Sequence, residues 1–142
     1  MRTVREILRF KGDQVWSVGP DDTVLHALGV MAANEIGAVL VLEGETIVGI
    51  LSERDYARKV VLVGRSSRAS AVREVMTRDV ICVTPDHTID ECLGLMTDKR
   101  VRHLPIVVDR RVTGLISIGD LVHATIKEQE YVIEQLQQYI AG

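Results

Sequence analysis

The chain has 142 residues, 46% of them hydrophobic, with charges of both signs, which fits one globular domain or two small ones sharing a core and excludes a disordered tail. A net charge of −3 argues against general nucleic-acid binding, and apolar runs such as "IGAVLVL" fall far short of the roughly 20 residues that cross a bilayer. With one Phe and one Trp, the core falls to Val, Leu, Ile, Met and Ala.

The opening stretch "MRTVREILRFKGD" carries charge through its middle, so no signal peptide is expected. Cys82 and Cys92 lie in apolar settings without disulfide or metal-ligand spacing, which points to a reducing cytoplasm. A short strand near Val15–Val18 stops at Pro20, and Thr23 caps a helix in which Val24, Ala27, Leu28 and Met31 recur at helical spacing. "AVLVL" at 38–42 reads as a strand buried on both faces, "EGE" as a tight turn and "TIVGILS" as a second strand. The phrase "GILSERDY" then leads into a helix.

Each of these features returns. Pro85, Gly114 and Asp120 follow Pro20, Gly49 and Asp55 by 65 residues, and "VTPDHTIDECLGLM" lies over "VGPDDTVLHALGVM". A strand near Val80–Val83, a helix with Ile89, Cys92, Leu93 and Met96 on one stripe, and the strands "LPIVV" and "VTGLIS" complete the second copy. Upstream, "VREVM" at Val72 echoes "VREIL" at Val4 with an offset of 68. The expected fold is α/β (α+β): two tandem β-α-β-β-α repeats, 1–68 with a leading linker helix and 69–142 with an extended C-terminal helix, packed with pseudo-twofold symmetry.

Charge is uneven along this plan. Residues 54–78 hold seven basic side chains against two acidic ones, whereas from Asp120 onward Lys127 alone faces four carboxylates. A basic middle in an acidic chain suits a small anion, and it also describes a solvated basic face.

In both copies a serine closes a strand and an aspartate sits three residues on: Ser52 with Asp55, Ser117 with Asp120. Two roles fit that spacing. One is a capping box, with the aspartate at the third helical position. The other is a ligand corner, where free N–H groups and the positive end of a helix suit phosphate and the carboxylate suits vicinal ribose hydroxyls.

With "PDDT" and "G-h-h-S-x-x-D" written twice and the "VREVMT" linker between, the stretch from about Val15 to Ile126 resembles a pair of CBS domains, the Bateman module. The resemblance implies two clefts between paired domains, each taking an adenosine-containing ligand: AMP foremost, or ADP, ATP, NAD(H) or S-adenosylmethionine. It also implies a homodimer and a regulatory, non-catalytic role toward an unidentified protein target. Carried over by position, Asp55 and Asp120 would hold ribose, with Ser52 and Ser117 beside them. Ile118 and Gly119 would offer backbone to sugar or phosphate, and Arg102 and His103, ahead of Pro105, basic groups to phosphate. Thr77 and the backbone near Val80 would form a wall contacting adenine or ribose from the partner domain. The first copy departs from this: Gly37 and Ala38 stand where the second has Arg102 and His103, and Arg54 stands where it has Gly119. Non-equivalent sites are therefore expected: the first combines Arg54 with Asp55, and Arg58, Lys59 and Arg65 there either reach phosphates or form a solvated helix end. The rival reading is a dimerisation adaptor with vestigial clefts.

His26, His87, His103 and His123 lack zinc-type spacing, and no histidine has reason to stand beside either serine, so neither a metal site nor a hydrolase is expected. Val122, Ile126, Gln129, Ile133, Leu136 and Ile140 form a seam of coiled-coil type in the last helix, which packs on its own module or reaches a dimer partner.

Overall fold

The N-terminal segment does not fold onto the repeat that follows it. A computed structural model describes residues 2–141, and the chain divides into two compact units. The first comprises Met1–Asp13, Cys82–Asp109 and Thr113–Gly142; the second comprises Gln14–Ile81 and Arg110–Val112. The repeat as a unit of sequence and the compact unit as a unit of packing are thus offset by one leading segment.

In the second unit, β1 (Ser17–Val18) runs parallel to β2 (Ala38–Glu43), and β2 pairs antiparallel with β3 (Thr46–Ser52), from Ala38 opposite Ser52 to Glu43 opposite Thr46. Helix α2 (Val24–Asn34) is capped by Thr23, whose hydroxyl accepts from the His26 amide. After Ser52 comes one turn of α3 (Glu53–Tyr56), which widens into a π-type stretch, Ala57–Val61. The short helix α4 (Val72–Val75) returns to the start of α2: the Val72 and Arg73 amides donate to the carbonyls of Asp22 and Pro20. Val24, Met31, Val39, Leu51, Val60 and Val72 are among the core residues.

The first unit repeats this plan with a different leading helix. Helix α1 (Val4–Lys11) takes the place of α4: the Val4 and Arg5 amides donate to His87 and Pro85 at the start of α5 (Ile89–Lys99). The matching ion pairs are Arg5–Asp86 at 2.6 Å and Arg73–Asp21 at 2.7 Å. Strands β4 (His103–Val108) and β5 (Arg111–Ser117) form a two-stranded sheet. The strand expected near Val80–Val83 is reduced to one parallel bridge, Val83 with Ile106, and the one near Val15–Val18 to two residues. Helix α6 (Ile118–Ala141) buries Leu121 and Ala124, and from Gln129 onward every described residue is exposed.

The leading helices explain the repeated glycine. A Cβ on Gly49 would meet Met76 Sδ at 2.5 Å and the Thr77 carbonyl at 3.0 Å; on Gly114 it would meet Leu8 Cδ2 at 2.6 Å. Met76 and Leu8 are counterparts at the 68-residue offset, so each glycine is the bare floor beneath a linker.

Candidate functional site: two serine–aspartate corners

Each unit holds one corner. At the end of β3, Ser52 has extended backbone and α3 starts with a reciprocal cap: the Ser52 amide donates to Asp55 Oδ2 at 3.0 Å, and the Asp55 amide to Ser52 Oγ at 3.1 Å. At the end of β5 the same exchange joins the Ser117 amide to Asp120 Oδ2 at 2.8 Å and the Asp120 amide to Ser117 Oγ at 3.2 Å. The capping role is therefore real in both copies, and what each carboxylate has left over decides what else it does.

Asp55 has nothing left. The Ser52 hydroxyl also donates to its Oδ2 at 3.1 Å, while Oδ1 receives the Thr77 hydroxyl and the Lys59 ammonium, both at 3.1 Å. Lys59 donates further to the Val75 carbonyl at 3.1 Å and sits 3.5 Å from Thr77 Oγ1. The side chain of Asp55 keeps only 12% of its surface open. Thr77, expected to contact ligand from the partner domain, instead lies in the same unit as Asp55 and pairs in strand fashion with Ile50, its hydroxyl spent on the carboxylate. The short α4 is the cause: Met76 is extended (φ −64°, ψ 155°), so the chain straightens and lays Thr77 along β3.

At Asp120 the lysine comes from elsewhere. Helix α1 runs on for eight residues and brings Lys11 to this corner, its ammonium donating to Asp120 Oδ2 at 2.6 Å and to the Leu115 carbonyl at 2.7 Å. Every polar contact of the Asp120 carboxylate among the described residues falls on Oδ2, which leaves Oδ1 unclaimed on a side chain 23% exposed. Beside the pair, Phe10 stacks on His123 with ring centroids 5.6 Å apart. A cavity of about 120 Å³ opens here, lined by Ile7, Phe10, Lys11, Asp120, His123 and Ala124.

The remaining expected residues fall as follows. Ile118 is half-exposed, but its amide donates to the Arg102 carbonyl, so it has no N–H to offer a ligand. Gly119 is exposed, and a Cβ there would make only ordinary contact with Ser117 Oγ at 3.5 Å, so packing does not demand the glycine. Arg102 is exposed and His103 partly buried on β4, while Pro105 is buried with its carbonyl taken by the Val83 amide. Val80 is half-buried, and Arg54 and Lys59 are exposed on the helix after Ser52. A wider groove of about 610 Å³ in the second unit runs past Leu28, Met31, Glu35, Ile36, Glu53 and Tyr56; Asp55 is not among its walls. The sequence does not point to Lys11, because it lies in the leading helix of the first repeat and serves the second.

Among the described residues, no group of three His, Cys, Asp or Glu could hold a metal ion, and no helix is long and apolar enough to cross a membrane. Burial pushes the Cys92 thiol up to about 11, as suits a small core side chain.

The family model of the CBS domain matches residues 4–62 and 72–127. The mitochondrial CBS domain-containing protein CBSX3 of Arabidopsis thaliana is 36% identical, over 99% of this chain and 72% of its own length. A protein with CBS domains from Burkholderia ambifaria, whose structure is solved, is 48% identical, with a TM-score of 0.86 over 89% of this chain and 96% of its own. At 22% identity, the CBS domain pair of protein MJ0100, crystallised with 5′-methylthioadenosine and S-adenosyl-L-methionine, shares the fold: its TM-score is 0.77 over 89% of this chain and 97% of its own.

Proposed function

The chain belongs to the CBS-domain family, and on that premise we propose that it is a non-catalytic sensor that binds an adenosine-containing ligand and passes the signal to a protein target by changing shape. The observation that carries the reading is the unclaimed Oδ1 of Asp120, a carboxylate oxygen at a strand-to-helix corner, open to a ribose hydroxyl beside an anchored cation. AMP, ADP, ATP and NAD(H) all carry the sugar that this oxygen suits. A ligand that prefers one arrangement of the chain shifts its population toward that arrangement. At 100 times its dissociation constant it adds about 2.7 kcal/mol to stability. Thermal denaturation with AMP, ADP, ATP, NAD, NADH and S-adenosylmethionine tests this. At least one must raise the midpoint, and Asp120→Asn must lose the shift; a flat response to all six overturns the reading.

The same reading includes a homodimer, supported by α6. Ile126, Ile133 and Ile140 occupy one set of seam positions, and Val122 and Leu136 the other, with 47–83% of each side chain's residue surface open. Ile at the first set with Leu at the second favours a parallel two-stranded pair. Such a pair sets Gln129 against its own counterpart, where each amide both donates and accepts; an antiparallel pair sets it against an aliphatic side chain. A reducing compartment fits the free Cys82 and the buried free Cys92.

A further inference from the structure

Counting hydrogen-bond valences separates the two corners more sharply than their sequences do. An ammonium has three N–H donors and a carboxylate two oxygens. At the Asp55 corner both oxygens are occupied, and Lys59 has three acceptors within 3.5 Å. At the Asp120 corner Lys11 spends two N–H groups, on Leu115 and on Asp120 Oδ2, and among the described residues its third has no acceptor. One acceptor (Asp120 Oδ1) and one charged donor (the third N–H of Lys11) are therefore open on adjacent groups around one cavity.

We infer that Lys11 is the residue by which this chain distinguishes a phosphorylated nucleoside from a bare one, and that it does so at the Asp120 corner alone. The inference rests on the reading of Asp120 as a sugar-binding carboxylate. A ribose hydroxyl donates to Asp120 Oδ1, and a phosphate oxygen on the same sugar accepts from Lys11. That contact is charge-assisted and shorter and stronger than a neutral one. Three features hold the donor in place. Helix α1 is capped by Thr3, tied to α5 through the Val4 and Arg5 amides, and pinned by the Arg5–Asp86 pair. Gly119, which packing does not require, leaves the first turn of α6 bare, so a phosphate there also meets the positive end of a 24-residue helix. The cavity of about 120 Å³ has room for a sugar or a phosphate group, while the base lies outside it. The class of ligand is a nucleoside phosphate; a nucleoside carrying a neutral or cationic 5′ substituent forgoes the Lys11 contact.

Isothermal titration of the full chain with AMP and with adenosine tests this on wild type, Lys11→Met and Lys11→Arg, with thermal melts to verify folding. Wild type should bind AMP about tenfold or more tighter than adenosine, at one site per chain. Lys11→Met should bring AMP to within about threefold of adenosine while adenosine affinity stays within about twofold of wild type, and Lys11→Arg should restore most of the preference. A Lys11→Met protein that keeps the wild-type preference overturns the inference, as does wild type binding both ligands alike; in both cases the sensor reading stands. Wild type that binds neither overturns the inference, and the sensor reading falls with it only if the six-ligand thermal panel is also flat.

Discussion

Gly49 lies directly beneath Met76: a methyl group on it would come within 2.5 Å of the thioether sulfur and 3.0 Å of the Thr77 carbonyl. Met76 can rotate away, but Thr77 is locked to Ile50 by two backbone hydrogen bonds of 2.9 Å. Gly49→Ala should therefore cost about 2–3 kcal/mol, read as a fall in the chemical-denaturation midpoint. Gly114→Ala meets only side chains, Leu8 first, and should cost about 1 kcal/mol, most of it recovered in the double variant with Leu8→Val.

Helix α2 ends at Glu35 in the left-handed region (φ 53°, ψ 44°), where glycine is unstrained. Glu35→Gly should stabilise the protein by about 0.5–1 kcal/mol, because the strain removed exceeds the entropy that glycine adds to the unfolded chain. An unchanged or lower melting temperature would count against it.

The buried thiol of Cys92 titrates near 11 in the fold against 9.0 unfolded. A group raised on folding contributes its full stability below the unfolded value. That contribution is lost as pH climbs from about 9 through about 11, an effect on the order of 2 kcal/mol. Cys92→Ala should flatten the alkaline fall in stability. At pH 8 a thiol reagent should label the exposed Cys82 and leave Cys92 until the protein unfolds.

Thr88 and Glu91 form a reciprocal cap at the start of α5, and the hydrogen bonds from the Thr88 amide and then its hydroxyl hold the Glu91 carboxyl below its usual value. A depressed carboxylate stabilises above its unfolded value of 4.5, and the contribution is lost as pH falls through the lower folded value. Glu91→Gln should therefore melt closer to wild type in acid than at neutrality.

If α6 joins two copies, Ile133→Glu should convert the dimer to a monomer in light scattering while the far-ultraviolet spectrum of the rest persists. Gln129→Leu should keep association but loosen its register, giving mixed stoichiometries.

Much of the fold was legible because its signals are local. Helical stripes, two-sided aliphatic strands and serine–aspartate caps are set by residues within one or two turns of one another. The corners themselves were legible for that reason. What they hold was not: Lys11 and Asp120 are 109 residues apart in sequence and Thr77 and Asp55 are 22 apart, and both pairs meet only because leading helices dock on strands. The echo between "VREIL" and "VREVM" signalled two equivalent helices but not which strands each would cover. Nor did it show that one helix would stop after Val75 while the other continued to Lys11. That difference in length closes one carboxylate and leaves the other half open.

The offset between repeat and compact unit bears on how such a chain can arise. A solitary copy carries a helix with no glycine floor of its own to rest upon, and a bare floor awaiting another copy's helix. Its simplest closed state is a pair of identical chains lending each other their first segments. The tandem is then that reciprocal loan made permanent by a peptide linkage.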